Sequence, residues 1–269
     1  MNTPESIDGD LLNVAADNLV LHMTWVQARV SGMHASIGEF LTLAYAGLGT
    51  DTFNTVCRAR LQSNDSARIR DAIAYFENRG QPFSWWVGPG DTPEHLSGML
   101  EQAGLLAAES EMAMAARLDR LAAIPAAPAG LSIERVRTPA QLRDFATINA
   151  ENWSPPDPAV GAFYEKASAE LLAEGSPLWL YVGYLASMPA ATAEVAVSGR
   201  AAGLYNVSTR ADYRRRGIGM AMTLQPLFEA RAAGVELGIL QAASEGVGVY
   251  RRAGFHPFGE YREFKPAWS

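Results

Sequence analysis

The chain of 269 residues contains a single cysteine, Cys57. One thiol can form neither an intrachain disulfide nor a cysteine-based zinc cluster, and such sparse use fits a reducing compartment. Cys57 sits in an apolar run and reads as a buried free thiol rather than a nucleophile. Lysine is nearly missing: Lys166 and Lys265 are the only two, and arginine supplies the rest of the positive charge. No long basic run is present and the net charge is −7, which argues against nucleic acid as a partner. No stretch approaches the roughly 20 apolar residues of a membrane span. The acidic N-terminal segment has no apolar signal core, so the expectation is a soluble cytoplasmic protein with no membrane partner. His22, His34, His95 and His256 have no metal-like spacing, and no metal is expected.

What is present is a globular balance, with 48% hydrophobic and 19% charged residues. The length suits two domains of ordinary size. Residues 121–130, LAAIPAAPAG, carry two prolines, small residues and no charge, and read as a linker between a first lobe, 1–120, and a second, 131–269. In the first lobe, apolar spacing predicts a helix over 7–30, strands over 40–45 and 53–61, and a helix over 66–79 capped by Asp65 or Ser66. A buried strand over 83–87, a helix over 93–102 and a strand over 112–118 follow. Trp85 and Trp86 are adjacent on a strand and must face opposite ways. One belongs to the core; the other is assigned to a lobe interface or an acceptor cleft.

In the second lobe the order is strand, two helices, three strands, helix, strand, helix, strand. Short turns between the three strands predict antiparallel pairing, and the later strand–helix–strand crossover predicts a parallel pair. The fold class is therefore α/β, with a mixed, mostly antiparallel sheet flanked by helices. Thr138-Pro139 opens the first helix, a single second helix is expected over 159–173, and Pro226 threatens to kink the helix over 217–233.

The strongest local signal is residues 206–223, NVSTRADYRRRGIGMAMT. A strand ends, a polar loop follows, and Arg214, Arg215, Arg216, Gly217, Ile218 and Gly219 open a helix. The first turn of a helix has unpaired N–H groups and a partial positive charge. Gly217 and Gly219 let the backbone approach an anion with no Cβ in the way. A pyrophosphate suits that place. The spacing is neither that of a P-loop nor that of a dinucleotide GxGxxG. On residues alone the reading is a phosphorylated ligand at a helix start, against the plainer one of a Gly-rich helix entry with solvated arginines.

This segment resembles the GNAT superfamily of N-acetyltransferases, whose Arg/Gln-x-x-Gly-x-Gly/Ala motif is matched by Arg214, Gly217 and Gly219. Residues 240–244 and 249–255, with Tyr250 and Gly254-Phe255, are similar to the family's later motif. The resemblance covers about residues 130–264. It implies acetyl-CoA as cosubstrate, its pyrophosphate held by Arg214, Arg215, Arg216, Gly217, Gly219 and Met220. Its pantetheine arm would add to the preceding strand at Val207 and Thr209. It also implies Tyr250 as the acid that protonates the coenzyme A sulfur. Relatives often place a Glu on the strand over 203–207, which here has none, so Glu194 on the neighbouring strand is the candidate base. A main-chain N–H near Asn206 or Val207 would donate to the oxyanion. Trp153, Phe163 and Tyr164 either shape an acceptor pocket or simply pack.

Residues 53–118 repeat the strand–helix–strand–helix–strand order without the glycines, which implies a degenerate GNAT-like first lobe that has lost its pyrophosphate seat. The expected activity is acetyl transfer to a primary amine, on a small molecule or a peptide, by direct attack in a ternary complex. The alternatives are a catalytically weak coenzyme A-binding or assembly module of the same fold, and phosphate-ligand binding unrelated to acyl transfer. A homodimer is left open.

Overall fold

The computed structural model describes residues 9–123 and 127–267. The acidic segment 1–8 and the middle of the expected linker, 124–126, lie outside the described residues. By contacts the chain divides into two compact units, Met1–Ala113 with Phe258–Ser269, and Met114–Pro257. This division differs from a cut at 121–130. It falls inside a strand, and the chain's last strand groups with the first unit.

The first unit begins with α1 (Gly9–Thr24). Turns follow it where the apolar spacing predicts helix to residue 30. Trp25 and Val26 are buried all the same, so the spacing reports burial, which turns provide as well as helix. Next come β1 (His34–Ile37), β2 (Thr42–Tyr45) and β3 (Thr55–Cys57). Arg58, with φ of +51°, takes the chain out of β3 early, although the apolar run continues to Leu61. α2 (Ser66–Glu77), β4 (Ser84–Val87), α3 (Leu96–Gln102) and β5 (Leu105–Arg117) complete the series. β3 and β4 pair in parallel around α2, while β1, β2 and β3 pair antiparallel.

Ile69, Ala72 and Phe76 of α2 are buried together, as their spacing predicts, and Phe76 stacks on Phe83 at 4.5 Å. Ile69 and Phe76 each contribute roughly 1.5–3 kcal/mol by leaving water. Asp65 does not cap α2; its carboxylate accepts instead from the Gln62 N–H at 2.9 Å and Arg68 Nε at 3.2 Å. Trp85 is fully buried in this core. Trp86 faces the other way, as alternation requires. It lines a small cavity with Leu12, Ala16 and Leu19 of α1, and its Nε1 donates to Ser84 Oγ.

The second unit contains β6 (Leu131–Arg135), α4 (Pro139–Ala150), α5 (Pro158–Lys166), α6 (Ser168–Leu171), β7 (Leu178–Leu185), β8 (Met188–Ser198) and β9 (Ala201–Thr209). α7 (Ile218–Ala232), β10 (Leu237–Ala242) and α8 (Val247–Ala253) follow, and β11 (His256–Pro266) returns to the first unit, where it pairs antiparallel with β4. β6 through β9 pair antiparallel in sequence, and β9 pairs with β10 in parallel around α7. The fold is the mixed, mostly antiparallel sheet with flanking helices that the pattern predicts.

Thr138 makes the full capping box with Gln141, and Pro139 occupies the first turn of α4. The single helix expected over 159–173 is two helices, separated at Ala167. α7 continues as one helix past the buried Pro226. Cys57 is buried and its thiol is pushed far up by burial and then by Asp91, which removes it as a nucleophile. No helix among the described residues is long and apolar enough to cross a membrane.

Candidate functional site

The site is built where β9 ends and α7 begins. Arg215 (φ +59°) and Gly217 (φ +83°) are both left-handed, and Gly217 caps α7 without a side-chain partner. A turn so shaped gathers backbone N–H groups on its inner side, at the positive end of a helix. A Cβ added at Gly219 would meet nothing nearer than Thr209 Oγ1 at 4.0 Å, and Gly219 is not a left-handed residue. Neither packing nor backbone angle requires glycine there. The bare position is a cradle that a side chain would fill, which fits an anion lying close to the amides.

The three arginines divide their work. Arg214 Nε donates to the Thr209 carbonyl at 2.9 Å and so ties the turn to the end of β9. Arg216 donates to the Asp212 carbonyl at 2.9 Å and lies over Tyr213. Arg215 is exposed. Met220 stands in the first turn of α7.

The parallel pairing of β9 with β10 ends at Leu204 and Leu240, yet β9 runs on to Thr209 and β10 to Ala242. Beyond Leu204 the strands part, and Val207 and Thr209 lie beyond that parting. On its other edge β9 carries a bulge. Thr192 pairs with Ser208 and Glu194 with Tyr205, so β9 has one residue more than β8 over this stretch. Asn206 sits in the bulge with φ of +51°, a conformation in which Asn is enriched among non-glycine residues.

Glu194 is buried, at 3% exposure. Asn206 Nδ2 donates to its Oε2 at 2.9 Å and lies 3.4 Å from Tyr164 Oη. Thr192 Oγ1 donates to the Asn206 carbonyl at 2.9 Å, and Asn149 Nδ2 approaches Thr192 Oγ1 at 3.4 Å. Burial, with Glu194 as a second cause, holds the Tyr164 hydroxyl well above the ordinary range, so it stays protonated. The structure thus brings Glu194, Asn206 and Tyr164 together. Sequence reasoning missed the Asn206 side chain; the available signal was an Asn inside a strand next to the phosphate turn.

Tyr250 stands on α8, edge-on to Phe255 at 6.2 Å. A Cβ at Gly246 would come within 2.9 Å of its ring, so the bare residue leaves that ring its place. Phe163 and Tyr164 pack against each other and Tyr164 against Phe145, while Trp153 is 41% exposed. Between α4 and α5 lies a cavity of about 590 Å³, walled by Leu142, Ala146, Ala150, Pro156 and Gly161, with Tyr164 also lining it. The α4–α5 loop is tied to the end of β9 by Arg210 with Glu151 and by Ser208 with Asn152. Among the described residues no group of His, Cys, Asp or Glu could hold a metal ion.

The first unit repeats the crossover but closes it. The edge of the chain beyond β3 is taken by Thr92: its N–H donates to the Ala59 carbonyl at 3.0 Å, and the Leu61 N–H donates to the Thr92 carbonyl at 3.0 Å. Thr92 Oγ1 adds a bond to the Leu61 carbonyl. At the turn before α2, the Asp65 carboxylate is bonded to the Gln62 N–H, a negative group where the second unit turns bare amides outward.

Comparison with known proteins accords with this geometry. Residues 181–258 match the family model described as an acetyltransferase (GNAT) domain. A GCN5-related N-acetyltransferase from Kribbella flavida has a similar fold, with a TM-score of 0.68 and 18% identity over 94% of this chain and 95% of that one. One from Sphaerobacter thermophilus gives 0.63 and 17% over 98% and 94%. A tandem GNAT protein from the clavulanic acid biosynthesis pathway gives 0.61 and 14% over 98% and 96%. At these identities the likeness is one of fold, and it spans both units. No curated protein matches the chain.

Proposed function

We propose, from the premise that this is a GNAT-family protein whose residues 181–258 match the acetyltransferase domain, that it transfers the acetyl group of acetyl-CoA to a primary amine in a ternary complex. The observation that carries this reading is the parting of β9 from β10, which leads into a turn with a glycine, Gly219, that neither packing nor φ requires. Val207 and Thr209 would hold the pantetheine arm by their main chain. Arg215, Arg216 and the amides of Gly217, Gly219 and Met220 would hold the pyrophosphate, with Arg214 fixing the shape of the turn. Bound there, the thioester supplies an activated acetyl carbon.

The chain's own residues supply the proton handling. An alkyl amine has a pKa near 10.4, so its neutral form costs roughly 4–5 kcal/mol at pH 7. As the amine nitrogen bonds to the acetyl carbon and the carbon–sulfur bond breaks, Glu194 takes the proton from nitrogen. The Tyr250 hydroxyl gives a proton to the departing sulfur and recovers one from solvent. The backbone N–H groups at the β9 bulge would donate to the oxyanion. The cavity between α4 and α5 is suited to the body of the acceptor, since Tyr164 both lines it and reaches Asn206.

The test is release of free thiol from acetyl-CoA over a panel of amines, polyamines, amino acids, aminoglycosides and peptides, with coenzyme A binding followed by calorimetry. Turnover with at least one acceptor is expected. Coenzyme A binding without turnover would favour the second reading, a catalytically weak coenzyme A-binding or assembly module, which the lack of a carboxylate on β9 itself supports. Tyr250→Phe separates the two: an enzyme loses turnover and keeps its coenzyme A affinity.

A further inference from the structure

A carboxylate at 3% exposure in a sheet is stable only if polar neighbours replace water around it. One such neighbour of Glu194 is the Asn206 side chain, and Asn206 sits in the bulge with a left-handed backbone that Asn accepts more readily than most residues. Asn149 is anchored on the Phe145 carbonyl at 3.0 Å and approaches Thr192, and Thr192 bonds to the Asn206 carbonyl. This chain of bonds runs from α4 through β8 into the bulge and ends on the Asn206 main-chain carbonyl, while the side-chain amide is held by its own two contacts. One amide nitrogen then serves both Glu194 Oε2 and Tyr164 Oη.

We propose that Asn206 is a positioning residue for acetyl transfer: with Tyr164 as its second anchor, it holds the Glu194 carboxylate in the one orientation that accepts the proton of the attacking amine. The proposal rests on the transfer reading above. Titratable groups beside Glu194 include Tyr164 from α5 and its register partner Tyr205 on β9; β7 opposes it with Leu180, and Asn149 of α4 reaches Thr192, two residues before it. The amide of Asn206 is therefore the group whose replacement changes the charge next to Glu194 with least disturbance, because Asp tolerates the left-handed backbone as Asn does.

Two variants and one spectrum test this. Asn206→Asp sets a second carboxylate beside the first, and like charges raise the pH at which the pair ionises. The acid limb of kcat/KM is expected to move up by about one pH unit or more, with the acetyl-CoA Kd unchanged. Asn206→Gly keeps the backbone and removes the amide; kcat is expected to fall about tenfold or more, again with the acetyl-CoA Kd unchanged. In nitrogen–proton correlation spectra the Asn206 side-chain amide, identified by its loss in Asn206→Asp, should titrate with pH in the wild type and stop doing so in Glu194→Gln. A pH profile of Asn206→Asp superimposable on wild type, or an amide signal indifferent to Glu194→Gln, overturns the proposal. Absence of turnover in a wild type that binds acetyl-CoA defeats the transfer reading instead, and the spectral titration, which needs no turnover, tells the two failures apart.

Discussion

Single residues decide what the second unit can bind. Gly219 borders nothing nearer than Thr209 Oγ1, so Gly219→Val should leave the melting temperature nearly unchanged while coenzyme A affinity drops about tenfold or more, since the side chain would fill the anion cradle. Calorimetry and a thermal melt on the same sample check both halves. Glu194→Gln keeps the shape and removes the proposed base; kcat/KM should fall about 10²- to 10⁴-fold, measured by thiol release at saturating acetyl-CoA. The turn was legible in the sequence because Gly217 and Gly219 mark a helix start, and α7 begins there. The place of Asn206 beside Glu194 was not, because it depends on a bulge that appears only when β8 and β9 are laid side by side with one residue too many.

Elements were legible where local chemistry marks their ends. Thr138, Pro139 and Gln141 announce α4, and the capping box is formed in full; Thr138→Ala should cost about 1 kcal/mol of stability, read by denaturant titration. The crossover β9–α7–β10 was legible from its punctuation, with Gly217 at the start of the helix and Gly234 just past its end. β1 was not, because its residues are mostly exposed and give no alternation. The end of β3 was hidden for the opposite reason: apolar residues continue past Arg58, yet its positive φ turns the chain away. Asp65 likewise looked like a helix cap and is engaged one turn earlier. In each case local composition names burial or polarity, while the partner that uses it lies elsewhere in the fold.

At the scale of the whole molecule, the first unit holds three carboxyls pushed above their ordinary range. Burial raises Asp91, Glu111 and Glu263 each to about 7. A carboxyl raised in this way is protonated in the fold while the unfolded chain has already ionised. The folded state therefore binds more protons between about pH 4 and 7, and stability falls as pH rises through that window, by no more than about 1.4 kcal/mol per pH unit for each group. Asp91→Asn should flatten the slope, which melting temperatures taken from pH 4 to 8 will read; an unchanged slope would remove Asp91 from the account.

The bonds of Thr92 to Ala59 and Leu61 carry a consequence for how this chain tolerates change. With that edge stitched shut by its own backbone, the stretch beyond β3 offers no open main chain of the kind that β9 leaves past Leu204. A deep mutational scan should find that substitutions around β3 and α2 alter activity and abundance in proportion, whereas those around β9 and α7 can abolish activity while the protein level stays constant.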